Sequence, residues 1–320
     1  MQAIRHQPPG GTEKLKIVWE DVPDIAEDEV LIKIHAASVI WMELHWDIYR
    51  NADGTYKTPI LGEDYSGTVA KVGSKVPQHE RGLHFGTEVM CFMSKAFPTK
   101  RSIDGGMAGY AKAHHSHVVP VPRGLDLTEA ASIPLSALTA WQGLFDHAHV
   151  AAGQTVLIPG AAGPTALWAV QMAKMVGARV IGTASSKESL ELLESFGVDR
   201  ILNYKEVELD TIEETVDVVF DTVGGDTARK ARKLIKKDGI HLYLVDPTGL
   251  EMNNEPGARV DFFIVDMNAE QLAKIADLVV QGKMRPVIDS VFDFKDVVKA
   301  FLKGEGGHAH GKILLKGPHV

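Results

Sequence analysis

An apolar run, Thr155-Val156-Leu157-Ile158, halts at Pro159-Gly160-Ala161-Ala162-Gly163 and passes into a helical pattern. A strand, a small-residue turn and a helix in succession point the N–H groups of a helix N-terminus at an anion. Where the dinucleotide fingerprint reads G-x-G-x-x-G, this chain offers Ala161-x-Gly163-x-x-Ala166. In that frame Ala161 serves the tight turn, Gly163 the close approach of phosphate to backbone, and Ala166 the packing of helix on sheet. Pro164 suits the first helical position, where its missing N–H costs little, although it removes one phosphate donor. Thr165 lies between them at the helix opening. Taken alone, such a degenerate turn has a plain αβ connection with no ligand as its lesser alternative.

The surrounding pattern decides between these readings. Ala166, Leu167, Val170, Ala173 and Val176 recur at three and four, and Gly177 suits the position just past the helix end. A second strand, Arg179 to Ala184, follows at once. Strand, helix and strand fit in roughly thirty residues, one βαβ unit. Further strands read at Arg200 to Tyr204, Val216 to Asp221 and Ile240 to Val245. Strands alternating with helical stretches predict a Rossmann doubly wound parallel sheet. Its ligands lie beyond the carboxyl ends of the strands, which puts Tyr204, Val223, Gly224 and Gly225 on the cofactor side.

The end of the second strand bears on which dinucleotide is held. NAD binding asks for a carboxylate on the ribose 2′-OH about twenty residues after the glycines. Here the strand runs into Thr183, Ala184, Ser185, Ser186 and Lys187, with no acid before Glu188. Hydroxyls and an ammonium suit a 2′-phosphate, so the expected cofactor is NADPH. Ser185 and Glu188 also have capping-box spacing, and both roles are compatible.

The chain has 320 residues, which suggests two domains. A net charge of −8 argues against a nucleic-acid surface. No apolar run reaches the roughly 18 residues that span a bilayer. The opening Met1-Gln2-Ala3-Ile4-Arg5-His6 lacks a signal-peptide core. A single cysteine, Cys91, forms no internal disulfide, and the expected location is cytoplasmic. Its apolar strand setting, Val89-Met90-Cys91-Phe92, suggests an inert core thiol. Strands at Val30 to Ile34, Gly67 to Val72 and Glu88 to Phe92 make the first third β-rich. The character changes around Pro120 and Pro122. Residues 123–266 are therefore expected to form the dinucleotide domain. Residues 1–122 and 267–320 form a second, discontinuous domain, with a helix at Gln271 to Val280 and a returning strand at Lys312 to Leu315.

With these motifs in order, the chain resembles the medium-chain dehydrogenase/reductase superfamily, in its zinc-independent quinone oxidoreductase (zeta-crystallin-like) branch. The resemblance runs through Gly62-Glu63-Asp64-Tyr65-Ser66-Gly67-Thr68-Val69, Glu129 to Pro134, Leu138-Thr139-Ala140-Trp141, the Gly160 turn, Asp221-Thr222-Val223-Gly224-Gly225 and Gly311 to Leu315. It implies a GroES-like β-barrel domain plus a Rossmann domain, with the cofactor in a cleft between them. It also implies a homodimer paired through the Rossmann sheet edge, for which Ile240 to Val245 is the candidate strand. Zinc alcohol dehydrogenases of the superfamily place ligands at positions matching Ile40 and Glu63; Ile40 has no ligating atom, and one cysteine cannot build a four-cysteine lobe. No metal is expected. His114, His115, His117, His147, His149, His308 and His310 read as surface or loop histidines, although alternation on a strand would aim His115 and His117 at one face.

Without zinc, hydride transfer suits an acceptor that is already activated: a quinone, or the double bond of an α,β-unsaturated carbonyl. The developing charge spreads onto oxygen, and the protein orients two planar partners and donates a hydrogen bond. Candidate donors are Trp41, Tyr49 and Tyr56, each of which has packing as its alternative role. Glu43 reads as a brace for the local helix start. The resemblance places Thr139 beside the nicotinamide; the other reading is a helical Thr bonded to its own backbone. Branch members carry an Asn where this chain has Ile40, which weakens quinone as the substrate. Reduction of an isolated carbonyl is disfavoured, since it needs an electrophile. The alternative from another class is a non-catalytic NADPH-binding sensor or scaffold.

Overall fold

The computed structural model describes residues 1–93, 104–245, 258–307 and 309–318. The chain divides into two compact units, Met1–Leu138 with Asp266–Val320, and Thr139–Val265.

The first unit opens with β1 (Gln2–His6) and β2 (Leu15–Trp19), an antiparallel pair. Its main sheet is built on β3 (Glu29–Ser38), whose run EVLIKIHAAS is buried along most of both faces. β4 (Asp64–Val72), β5 (Glu88–Phe92), β6 (Tyr110–His114) and β7 (Val118–Pro120) follow. β4 lies antiparallel to β3 and hands on to β5 and then β7, while β6 pairs with the first half of β3. A Cβ on Gly67 would lie 2.1 Å from the Lys33 carbonyl, so only glycine lets β3 and β4 approach this closely. Val30, Ile32, Tyr65, Val69, Val89 and Cys91 fill the core beneath. The short α1 (Gln78–Arg81) and α2 (Leu127–Ala130) precede α3 (Pro134–Trp141). The junction falls after Leu138, later than the composition change suggests. Residues 123–138 are tied to the first unit: α2 packs on β4 and β5, and the Leu135 N–H donates to Asp64 at 2.8 Å.

The second unit begins where α3 passes into a π-helical stretch, Gln142–His147. Its sheet comprises β8 (Thr155–Ile158), β9 (Arg179–Ala184), β10 (Arg200–Asn203), β11 (Val216–Asp221), β12 (Ile235–Tyr243) and β13 (Arg259–Phe262). All pairs are parallel, in the order β10-β9-β8-β11-β12-β13. Numbered within the unit, this is 3-2-1-4-5-6, the Rossmann order. Three of the crossovers are helices: α4 (Pro164–Met175) from β8 to β9, α5 (Lys187–Ser195) from β9 to β10 and α6 (Gly225–Arg232) from β11 to β12. α4 ends as its pattern predicts, with Gly177 at φ +82°. The strand expected at Ile240 to Val245 lies within the sheet as part of β12, flanked by β11 and β13. Among the described residues the edge strands are β10 and β13.

The first unit then resumes with α7 (Ala269–Val280), β14 (Ile288–Phe292), α8 (Val297–Glu305) and β15 (Lys312–Lys316). β15 inserts between β14 and the second half of β3, so the sheet runs β14-β15-β3-β4-β5-β7.

Candidate functional site

In the second unit the strand order reverses between β8 and β11, and the chain's turn motifs sit at the carboxyl ends of those two strands. After β8, Gly160 takes φ +63°, its N–H donates to the Thr183 hydroxyl at 3.0 Å, and the Ala161 N–H donates to the Thr183 carbonyl at 2.9 Å. The Gly163 N–H closes the turn on the Gly160 carbonyl at 2.9 Å. A Cβ on Gly160 would stand 2.9 Å from Val223 Cγ2. The tight-turn role assigned to Ala161 therefore belongs to Gly160, one residue earlier. Ala161 is buried instead, and it is why β9 carries Gly182, whose Cβ would lie 2.9 Å from the Ala161 methyl. Gly163 caps α4 with no side chain, Pro164 opens the helix, and Ala166 is buried at its foot. Thr165 is half-buried beside them. No side chain caps this helix end, which suits an anion arriving from outside the chain.

At the ends of β9 and β10 the Tyr204 N–H donates to the Ala184 carbonyl at 3.2 Å, which sets Tyr204 beside Ser185. Tyr204 is 57% exposed, and the Lys187 side chain is 82% exposed, 3.7 Å from Glu191. The helix cap is shifted by one residue from the expected Ser185–Glu188 box. Ser186 is the N-cap of α5, and its hydroxyl accepts from the Ser189 N–H at 3.1 Å. Ser185, half-buried, lies just ahead of the cap.

At the end of β11, Asp221 Oδ1 accepts the N–H groups of Val223 at 2.9 Å and Gly224 at 2.8 Å. The Thr222 hydroxyl donates to the Pro159 carbonyl at 3.1 Å and so ties this loop to the Gly160 turn. Asp221 Oδ2 faces His241 Nε2 at 3.1 Å, with both side chains wholly buried. Sequence reasoning did not single out this Asp221–His241 pair. The signal available was an acid closing a strand immediately before Val-Gly-Gly.

In the first unit, Trp41 opens a 3-10 turn, Trp41–His45, and is 38% exposed. It meets His45 edge-on and packs at Gly304 of α8. Tyr49 is 1% exposed and its hydroxyl points at Glu43 Oε1, 3.4 Å away. Glu43, itself wholly buried, also accepts the Gly62 N–H at 3.0 Å. Its carboxylate thus braces the Gly62 turn rather than its own helix start. Tyr56 is half-buried and bridges to Arg50, and the Lys57 N–H returns to the Tyr49 carbonyl, so Tyr49 and Tyr56 share one loop. Thr139 is half-buried within α3.

Burial pushes the Cys91 thiol up to about 12, as its apolar setting predicts. His115 to His117 form a 3-10 turn and not a strand, so alternation does not align them. Burial also holds His115 and His117 below the ordinary histidine range. His147 pairs with Asp261 and His149 with the Phe145 carbonyl, while the His310 N–H donates to Asp289. His308 lies outside the described residues.

Two family models match the sequence: an alcohol dehydrogenase GroES-like domain over residues 26–123 and a zinc-binding dehydrogenase domain over residues 196–315. A 2-methylene-furan-3-one reductase of Solanum lycopersicum is 35% identical over 92% of this chain and 73% of its own length. The chloroplastic NADPH-dependent alkenal/one oxidoreductase of Arabidopsis thaliana is 32% identical over 98% of this chain and 79% of its own. Among solved structures, the quinone oxidoreductase of Coxiella burnetii superposes with a TM-score of 0.89 at 30% identity, covering 99% of both chains. The chain belongs to the medium-chain dehydrogenase/reductase superfamily. Its branch there is that of the zeta-crystallin-like quinone oxidoreductases, and its two units are the GroES-like and Rossmann domains. The zinc in the matching model's description finds little support in this member's donor set. Ile40 offers no ligating atom, Cys91 is the chain's one cysteine, and no group of three or more His, Cys, Asp or Glu among the described residues is arranged to hold a metal.

Proposed function

We propose that this medium-chain reductase uses NADPH, without zinc, to deliver hydride to a quinone or to the activated double bond of an α,β-unsaturated carbonyl. One observation carries the reading: the Gly160 turn and the Val223–Gly224 loop flank the strand-order reversal of a 3-2-1-4-5-6 sheet, ahead of a helix with no side-chain cap. The tomato 2-methylene-furan-3-one reductase, the Arabidopsis alkenal/one oxidoreductase and the Coxiella quinone oxidoreductase support these substrate classes.

In this reading the backbone from Ala161 to Ala166, with Gly163, Pro164 and Thr165, receives the pyrophosphate. Ser185, Ser186, Lys187 and Tyr204 receive the 2′-phosphate and adenosine. Two features support that assignment: Lys187 and Tyr204 are exposed, and no carboxylate precedes Glu188. Val223 and Gly224 wall the site, and Thr139 contacts the nicotinamide end. When bound, NADPH supplies the hydride. Trp41 and Tyr56 orient the acceptor, and the indole N–H or the Tyr56 hydroxyl donates to the oxygen that gains charge; Tyr49, buried and turned on Glu43, supports the loop it shares with Tyr56. A homodimer and a cytoplasmic location complete the proposal. β13 is an edge strand with Phe262 part-exposed, and a second copy would cover it. Among the described residues no helix is long and apolar enough to cross a membrane.

The test is a titration of the protein with NADPH and, separately, NADH, read by nicotinamide fluorescence, followed by turnover with simple quinones and enals. Tight NADPH binding, weak NADH binding and turnover are the expected results. No binding of either nucleotide at millimolar concentration overturns the reading; binding without turnover moves the chain to the sensor alternative.

A further inference from the structure

We infer that His241 is a positioning residue for the dinucleotide: through Asp221 it fixes the Val223–Gly224 backbone that walls the Gly160 turn. The inference rests on the NADPH reading above.

A carboxylate only accepts, so His241 Nε2–H must donate to Asp221 Oδ2, 3.1 Å away. The other carboxylate oxygen, Oδ1, is occupied by the amides of Val223 and Gly224. The loop these two amides belong to, Thr222 to Gly224, lies against the phosphate turn. Thr222 reaches the Pro159 carbonyl, and Val223 Cγ2 stands where a Gly160 side chain would be. Gly224 itself takes φ +75°, a conformation open to glycine, and a Cβ there would stand 2.6 Å from Val245 Cγ2.

His241 does nothing else that the core requires. Its neighbours on β12, Ile240 and Leu242, are apolar and buried, and an aliphatic residue would fill the same position. Its Nδ1 is buried with no hydrogen-bond partner among the described residues, a penalty an aliphatic side chain would avoid. The ring is clamped against Tyr243 at 3.9 Å and 17° between planes, which fixes the direction of the Nε2–H. What the histidine supplies is one donor, without which Asp221 Oδ2 would be buried with no donor among the described residues. The loop's geometry depends on that carboxylate keeping its rotamer.

The experiment compares wild type, His241→Leu, which removes the donor, and His241→Gln, whose amide nitrogen reaches where Nε2 was. NADPH Kd, KM for NADPH, kcat with a simple quinone and thermal midpoint are measured for each. We expect His241→Leu to weaken NADPH binding about tenfold and raise KM in step, with kcat little changed, because one hydrogen bond to a charged group is lost. His241→Gln is expected to restore Kd. A general loss of packing would not be repaired by the polar substitution and would not separate KM from kcat. If His241→Leu does not fold, His241→Asn, whose shorter amide falls short of Asp221, takes its place and is expected to bind more weakly than the Gln variant. Equal NADPH affinity in wild type and in the variants that lack the donor overturns the inference, as does a Gln variant no better than its donor-less counterpart. A wild type that binds no NADPH instead overturns the functional reading on which it rests.

Discussion

Gly160 shows how a single backbone torsion organises the site. Its φ of +63° and the 2.9 Å approach of Val223 to its absent side chain both exclude a Cβ. Gly160→Ala is expected to lower stability by about 1–2 kcal/mol, the left-handed penalty of an L-residue, before any contact with Val223 is counted. Urea unfolding would measure it, and NADPH affinity should fall with it. The run Gly160-Ala161-Ala162-Gly163 admits two registers of the glycine fingerprint, which is why sequence alone placed the turn residue at Ala161. Cys91 was legible because every neighbour in Val89 to Phe92 is apolar. His241 was not: alternation along Ile240 to Val245 does not distinguish a histidine paired inside the sheet from one facing water. Tyr49 shows the same limit, since a tyrosine turned on a buried carboxylate and one open to substrate look alike in sequence.

At the scale of the element, α5 separates stability from ligand binding. Ser186 caps the helix through the Ser189 N–H, while Ser185 precedes the cap. Ser186→Ala is expected to lower stability by about 1 kcal/mol in denaturant unfolding. Ser185→Ala is expected to leave stability nearly unchanged and to weaken NADPH relative to NADH. Strands with a strong apolar pattern, such as β5 and β11, match their expected bounds, Glu88–Phe92 and Val216–Asp221. β12 begins earlier than expected because Ile235 pairs with Val216 ahead of a register shift, across which the polar Lys236, Lys237 and Asp238 interrupt the apolar pattern before Ile240. β13 escaped detection because Arg259-Val260-Asp261-Phe262 places a charge at every second position and lacks the apolar run that marks the equally short β8. The π-helical stretch Gln142–His147 differs too little in period from an α-helix to be read over six residues.

At the scale of the molecule, the GroES-like unit is held across its sequence gap by a buried ion pair. Lys312 on β15 lies 2.9 Å from Asp64 on β4 and 3.3 Å from the Ser38 hydroxyl on β3, and Asp64 also takes the Leu135 N–H at the start of α3. Lys312→Met is expected to lower stability by about 3–5 kcal/mol in urea unfolding, because it leaves Asp64 buried without its counter-charge. The exposed Lys187–Glu191 pair should be worth a small fraction of that. The two-unit organisation was legible from composition, but the junction at Leu138 was not, since it falls inside a helix that carries no break.

The place of β15 in the sheet also orders events during synthesis. β3 is made long before β15, yet half of one of its edges stays unpaired until Lys312–Lys316 has left the ribosome. The Rossmann unit, contiguous from Thr139 to Val265, has by then emerged whole. It can complete its own sheet while the earlier GroES-like strands still wait for their last neighbour. A ribosome stalled shortly before residue 312 would therefore display a finished nucleotide-binding unit beside an open β-edge, the species most in need of a chaperone.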